Sequence, residues 1–184
     1  MAIVLRCTGK VLKELGIKKS GLSFISESQE PLKEWYVNLF YIDRKKCLIF
    51  TEAQSLFTFI VFGLYRKEIK TIEKVFRKGL SKILYYHNFN AKQINHILKT
   101  CDDFCFSTTI SRKVLGSMND MVFGYKNHLY LMEQITEEIE IDILRSLNDT
   151  PMGSIKYEFP IEVFTKYVLA LSQNNERDLV ENIR

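Results

Sequence analysis

Between residues 36 and 84 the hydrophobic period of the chain changes once, and that change restricts the fold more than any other feature. Residues 36–43, 47–51 and 56–62 are runs of aromatic and β-branched side chains, the composition that suits a pleated, half-buried surface. Only a few residues separate them, too few for crossover helices. The spacing therefore predicts an antiparallel meander rather than βαβ units. From residue 66 the period lengthens. Ile69, Ile72, Val75, Phe76, Leu80, Ile83 and Leu84 recur at helical spacing and predict one amphipathic helix over 66–86.

The remaining elements follow from caps and breakers. Ile3–Cys7 reads as a first strand and 10–15 as a short helix, with Thr8 as N-cap and Gly16 as its stop. Residues 18–34 read as a polar loop. Asn90 caps a second helix, 104–110 is a short strand, and Ser111 caps a third helix with Val114, Leu115, Met118, Met121, Val122 and Tyr125 on one face. Residues 135–147 read as helical, 155–159 as extended, and 161–171 as helical after Pro160. The expectation is an α+β fold, an antiparallel sheet of about four to five strands packed against several helices. It should span 1–184 as a single domain, with 172–184 as a frayed tail.

Composition excludes several classes. The apolar share of 46% is too high for a disordered chain, and three prolines leave little room for flexible linkers. No signal peptide is expected, because Arg6 interrupts the opening apolar run. The longest apolar stretch, 56–65, is half the roughly 20 residues that cross a membrane. The expectation is a cytoplasmic protein without a membrane partner, and richness in Lys, Ile and Asn suits a bacterial source of low GC content. Cys7, Cys47, Cys101 and Cys105 should stay thiols in a reducing compartment. His87 and His96 upstream of Cys101 and Cys105 fit no common zinc spacing, so no metal is expected, and no cofactor either. His128 completes a set of three histidines without a nucleophile signature beside any of them.

The charge is lopsided. Residues 1–132 carry 21 Lys and Arg against 11 Asp and Glu, whereas 133–184 carry 5 against 11. A basic body with an acidic last third suggests an anionic partner, or two parts that neutralise each other. On the helix at 66–86, Lys67, Lys70, Lys74, Arg77, Lys78 and Lys82 fall in one arc opposite the apolar stripe. A one-sign stripe forgoes the mixed-sign pairs that support a solvated helix. A phosphate backbone would compensate through counterion release, so nucleic acid or another polyanion is the expected partner. A merely solvated face is the alternative.

Polar residues elsewhere suggest a cleft. Arg6, Thr8 and Lys10 sit at a strand-to-helix junction, a natural anion site, although the first glycine of a phosphate-binding loop is missing. Asn38 interrupts an apolar strand and Asp43 ends it. In the third helix Arg112, Gly116 and Asn119 share an exposed edge, with Lys113, Ser117 and Asp120 beside them. Gly116 costs about 1 kcal/mol relative to Ala there, which a close approach would explain. If the cleft is catalytic, metal-independent phosphodiester chemistry fits best, with Arg112 stabilising charge and Asp120 moving a proton. A small polar metabolite in the Gly116–Asp120 cleft and a protein-interaction module are the alternatives. Whether any bond is broken, and the oligomeric state, stay open.

The blocks Arg6-Cys7-Thr8, Trp35-Tyr36-Val37-Asn38-Leu39, Asp43-Arg44-Lys45-Lys46-Cys47, Leu115-Gly116-Ser117-Met118-Asn119-Asp120 and Thr150-Pro151-Met152-Gly153 resemble a family of uncharacterised bacterial proteins classed as a domain of unknown function. They span nearly the whole chain. Ser111-Arg112 departs from the Asn-Arg of the family pattern. The resemblance implies one domain and important polar blocks, but no reaction.

Overall fold

The computed structural model describes residues 2–181 apart from 27, 29, 102 and 133, with backbone alone at 19 and 173–181. The expected tail at 172–184 lies almost wholly outside the described side chains. Strands are β1 (Ile3–Cys7), β2 (Glu34–Ile42), β3 (Lys45–Glu52), β4 (Thr58–Leu64) and β5 (Phe104–Thr108). Helices are α1 (Gly9–Leu15), α2 (Arg66–Ile69), α3 (Ile72–Tyr86), α4 (Ala91–Lys99), α5 (Arg112–Tyr130), α6 (Glu137–Asn148) and α7 (Pro160–Glu181).

The five strands make one sheet in the order β4-β3-β2-β1-β5. The meander is as expected: β2, β3 and β4 are antiparallel neighbours. Asp43 and Arg44 form the two-residue turn, both with positive φ (45° and 65°), the twist that matches a hairpin. The sheet as a whole is mixed, not antiparallel, because β1 lies between β2 and β5 and runs parallel to both. The β1–α1–β2 connection is thus a parallel crossover, disguised in the sequence by a helix of only seven residues and a long loop.

Two further expectations are corrected. The helix at 66–86 breaks at Lys70–Thr71, where Thr71 leaves helical geometry (φ −108°, ψ 45°), so the lysines of α2 and α3 lie on two helices. Residues 155–159 form no strand. Gly153–Ile155 is a 3-10 turn, Lys156 and Tyr157 are left-handed, and a single bridge joins Met152 to Glu158.

Side-chain alternation gives the sheet two different faces. One face carries Trp35, Phe50 and Phe59 against Phe76 of α3, with ring centroids 5.0–5.6 Å apart, and Phe164 of α7 lies 6.2 Å from Trp35. Gly79 lets α3 approach this closely: a Cβ there would sit 2.7 Å from the Phe59 ring. On the opposite face Tyr125 of α5 meets Phe40 edge-on at 6.4 Å, and the Tyr36 hydroxyl accepts from the Ser111 N–H. Helix α6 lies beside the β4 edge. There the Asn148 amide bonds both the N–H and the C=O of Thr58 at 2.8 Å.

Candidate functional site

The predicted basic residues divide into two groups. Lys67, Lys70, Lys74 and Lys78 are exposed, and among the described residues none has an acidic side chain within ion-pair distance. Arg77 and Lys82 are engaged. The Arg77 guanidinium lies 5.6 Å from the Phe104 ring centre and donates to the Leu98 carbonyl. Lys82 pairs with Glu137 of α6 at 2.8 Å, and this bond holds the Glu137 carboxyl below its ordinary range. Here a carboxylate of the acidic last third neutralises a lysine of the basic body. Lys74 and Lys78 are four residues apart, about 6 Å along the axis of α3.

Arg6 is not a surface anion ligand. It is wholly buried, and its Nε–H donates to Glu34 Oε1 at 2.6 Å. Its Nη groups donate to Glu34, Ser107 and the carbonyls of Ile25, Ser26 and Thr108. Glu34 also accepts from the Ser28 N–H at 2.7 Å. The guanidinium therefore joins β1, β2, β5 and the loop before β2. Glu34, assigned from sequence to the end of that loop, is the partner the sequence reading missed. Thr8 occupies the N-cap of α1 but donates its hydroxyl to Asn38 Oδ1 at 2.9 Å instead of capping. Asn38 also accepts from the Leu39 N–H. Lys10 is exposed nearby on α1. Asp43 is at the tip of the β2–β3 hairpin, away from that group.

The α5 block lies mostly on an exposed helix face. Arg112, Gly116, Asn119 and Asp120 are exposed, and nothing lies within 4 Å of a Cβ built on Gly116, so no close approach explains that glycine. Ser117 faces inward, its hydroxyl 2.7 Å from that of Ser154, which ties the segment after Pro151 to α5. Arg112 and Asp120 are eight residues apart, about 12 Å along the helix axis. Moreover, α5 and α3 pack on opposite faces of the sheet. The sheet separates the α5 block from the basic helices, and both its faces are covered. We expect Gly116→Ala to raise stability by about 1 kcal/mol, read from the urea midpoint; a loss would reveal a contact at this position.

No three His, Cys, Asp or Glu side chains among the described residues are placed to hold a metal ion. The cysteines are free thiols, and burial pushes Cys7 to about 12 and Cys47 to about 11, far from nucleophilic use. His87 is half-buried against Phe57, and burial lowers it to about 4. No helix among the described residues is long and apolar enough to cross a membrane.

One cavity among the described residues lies at the β4 edge. It measures about 260 Å³ and is walled by β4, α3 and α6. Its charged lining is Glu68, Lys78, Lys82 and Glu140. Burial raises the Glu140 carboxyl, an effect partly offset by Lys82 and reinforced by Glu137.

These features define the class: an α+β protein with a mixed five-stranded sheet, an exposed lysine face on one side and a cleft at the meander edge. The chain belongs to the family described as a domain of unknown function, DUF6933, whose model matches residues 4–163. No curated protein matches it.

Proposed function

We propose that this protein binds a polyanion, RNA or DNA, across the exposed lysines of α2, α3 and the break between them, and that residues 1–184 act as one domain in a bacterial cytoplasm. The observation that carries the reading is the contrast along one helix pair. Lys82 has its carboxylate, while Lys67, Lys70, Lys74 and Lys78 have none among the described residues. Surface lysines in like-charged rows repel one another by a few tenths of a kcal/mol per pair. A phosphate chain relieves that repulsion and releases its own counterions. Phosphodiester cleavage by Arg112 and Asp120 is not part of the proposal, since the two lie about 12 Å apart along α5 and across the sheet from the lysines.

Fluorescence anisotropy with labelled single-stranded RNA and duplex DNA at two salt concentrations tests the reading. Binding should fall steeply with salt. The combined change Lys67→Glu, Lys70→Glu and Lys74→Glu should flatten the log–log salt slope by about 3. Unchanged affinity and slope in that variant would reduce the lysine face to a solvated surface. The expected alternative, a small polar metabolite, finds support at the β4 cleft rather than at Gly116–Asp120.

A further inference from the structure

The β4 cleft has a polar pattern that the fold does not use. In an antiparallel ladder, successive residues turn their N–H and C=O alternately toward the partner strand and away from it. Phe57 faces β3, its carbonyl accepting from the Glu52 N–H at 2.9 Å. Thr58 faces the free edge, where the Asn148 amide fills the role of a neighbouring strand. Two residues on, Ile60 repeats the outward orientation of Thr58, and it lines the cleft. Its N–H and C=O are therefore presented to the cleft as a donor and an acceptor side by side.

The charged lining reduces to one anion and one cation. Glu68 accepts from the Tyr65 N–H at 2.8 Å, closing the first turn of α2. Lys82 is held by Glu137. Glu140 and Lys78 remain, neither with a hydrogen bond or ion pair among the described residues. The rest of the wall is apolar, including Phe59, Val61, Ile141 and Leu144. At about 260 Å³ the cleft is slightly smaller than the roughly 300–1,000 Å³ of drug-sized ligand pockets, a size that suits a small metabolite.

We propose that this cleft binds an apolar α-amino acid. Its ammonium is held by Glu140 and the Ile60 carbonyl, its carboxylate by Lys78 and the Ile60 N–H, and its side chain by the apolar wall. A zwitterion is the ligand whose two charges match these two groups, and its ammonium and carboxylate answer the same backbone pair that the Asn148 amide answers at Thr58. The inference goes beyond polyanion binding and does not depend on it.

Titration of the full chain with leucine, isoleucine and phenylalanine, followed by calorimetry and amide chemical shifts, tests it. The controls are 4-methylpentanoate, which lacks the ammonium, isopentylamine, which lacks the carboxylate, and glycine, which lacks the side chain. We expect saturable one-to-one binding by at least one apolar amino acid, at least tenfold tighter than any control, with shifts centred on residues 59–64. Glu140→Gln and Lys78→Met should each weaken it at least tenfold, and Glu140→Gln should leave polyanion affinity unchanged. No binding at about 10 mM, roughly ten times a millimolar Kd, overturns the proposal. So do controls that bind equally well, or shifts confined to other segments. Retained affinity in a folded Glu140→Gln variant overturns it independently of the lysine variant.

Discussion

Replacing Glu34 with alanine should lower the unfolding free energy by about 3–5 kcal/mol, the cost of leaving one member of a buried ion pair without its partner. Arg6 is 0% exposed and Glu34 1%, so no water replaces the lost carboxylate. Glu34 makes a paired contact with the guanidinium, Nε to Oε1 at 2.6 Å and Nη2 to Oε2 at 3.2 Å, and it accepts from the Ser28 N–H. Its loss also frees the loop before β2 from the sheet. Urea denaturation should show a lower midpoint. The paired change Arg6→Met with Glu34→Leu should recover much of the loss, because apolar replacements of a buried pair cost little. A penalty below about 1 kcal/mol for Glu34→Ala, the range of exposed pairs, would mean that water reaches this pair.

Asn148→Ala should cost about 2–4 kcal/mol, since it removes a buried amide that makes three hydrogen bonds and strands the polar groups of Thr58. The amide accepts from the Thr58 N–H, and it donates to the carbonyls of Thr58 and Leu144. Among the described residues no further strand covers this edge, so α6 would lose its clip to the sheet and the edge would open. Asn148→Asp keeps the acceptor but removes both donated bonds, and should be at least as damaging. Hydrogen exchange at the Thr58 amide gives a local readout. Protection that survives in Asn148→Ala would show that another group satisfies that N–H.

Much of the fold was legible because its signals are local. Asn90 and Ser111 cap their helices by accepting from Gln93 and Val114, three residues away in each case. The meander was visible because its strands adjoin in sequence and its turn spans two residues. The helix break at Lys70–Thr71 was not visible, since the apolar spacing continues across it. The place of β1 was not visible either. Its register with β5 pairs Arg6 with Ser107, about a hundred residues away, and no local pattern records that choice.

The candidate site divides in the same way. The amino-acid sequence determined one part of the lysine arc on its own, because helical spacing places Lys74 and Lys78 on one exposed side of α3, whereas the break at Lys70–Thr71 divides the rest. It also determined the exposed edge of α5, but not what faces that edge. Tertiary structure decided which polar groups are already satisfied. Arg6 looked like an anion ligand until Glu34, 28 residues on, entered its burial shell. Ser117 looked exposed until Ser154 met it. Tertiary structure also placed α3 and α5 on opposite faces of the sheet, and it brought Ile60, Lys78 and Glu140 to one cleft from a strand and two helices. The physical reason is range. Capping and periodicity act within a turn or a pleat, whereas desolvation and hydrogen-bond satisfaction depend on whichever distant segment the packing brings against a residue.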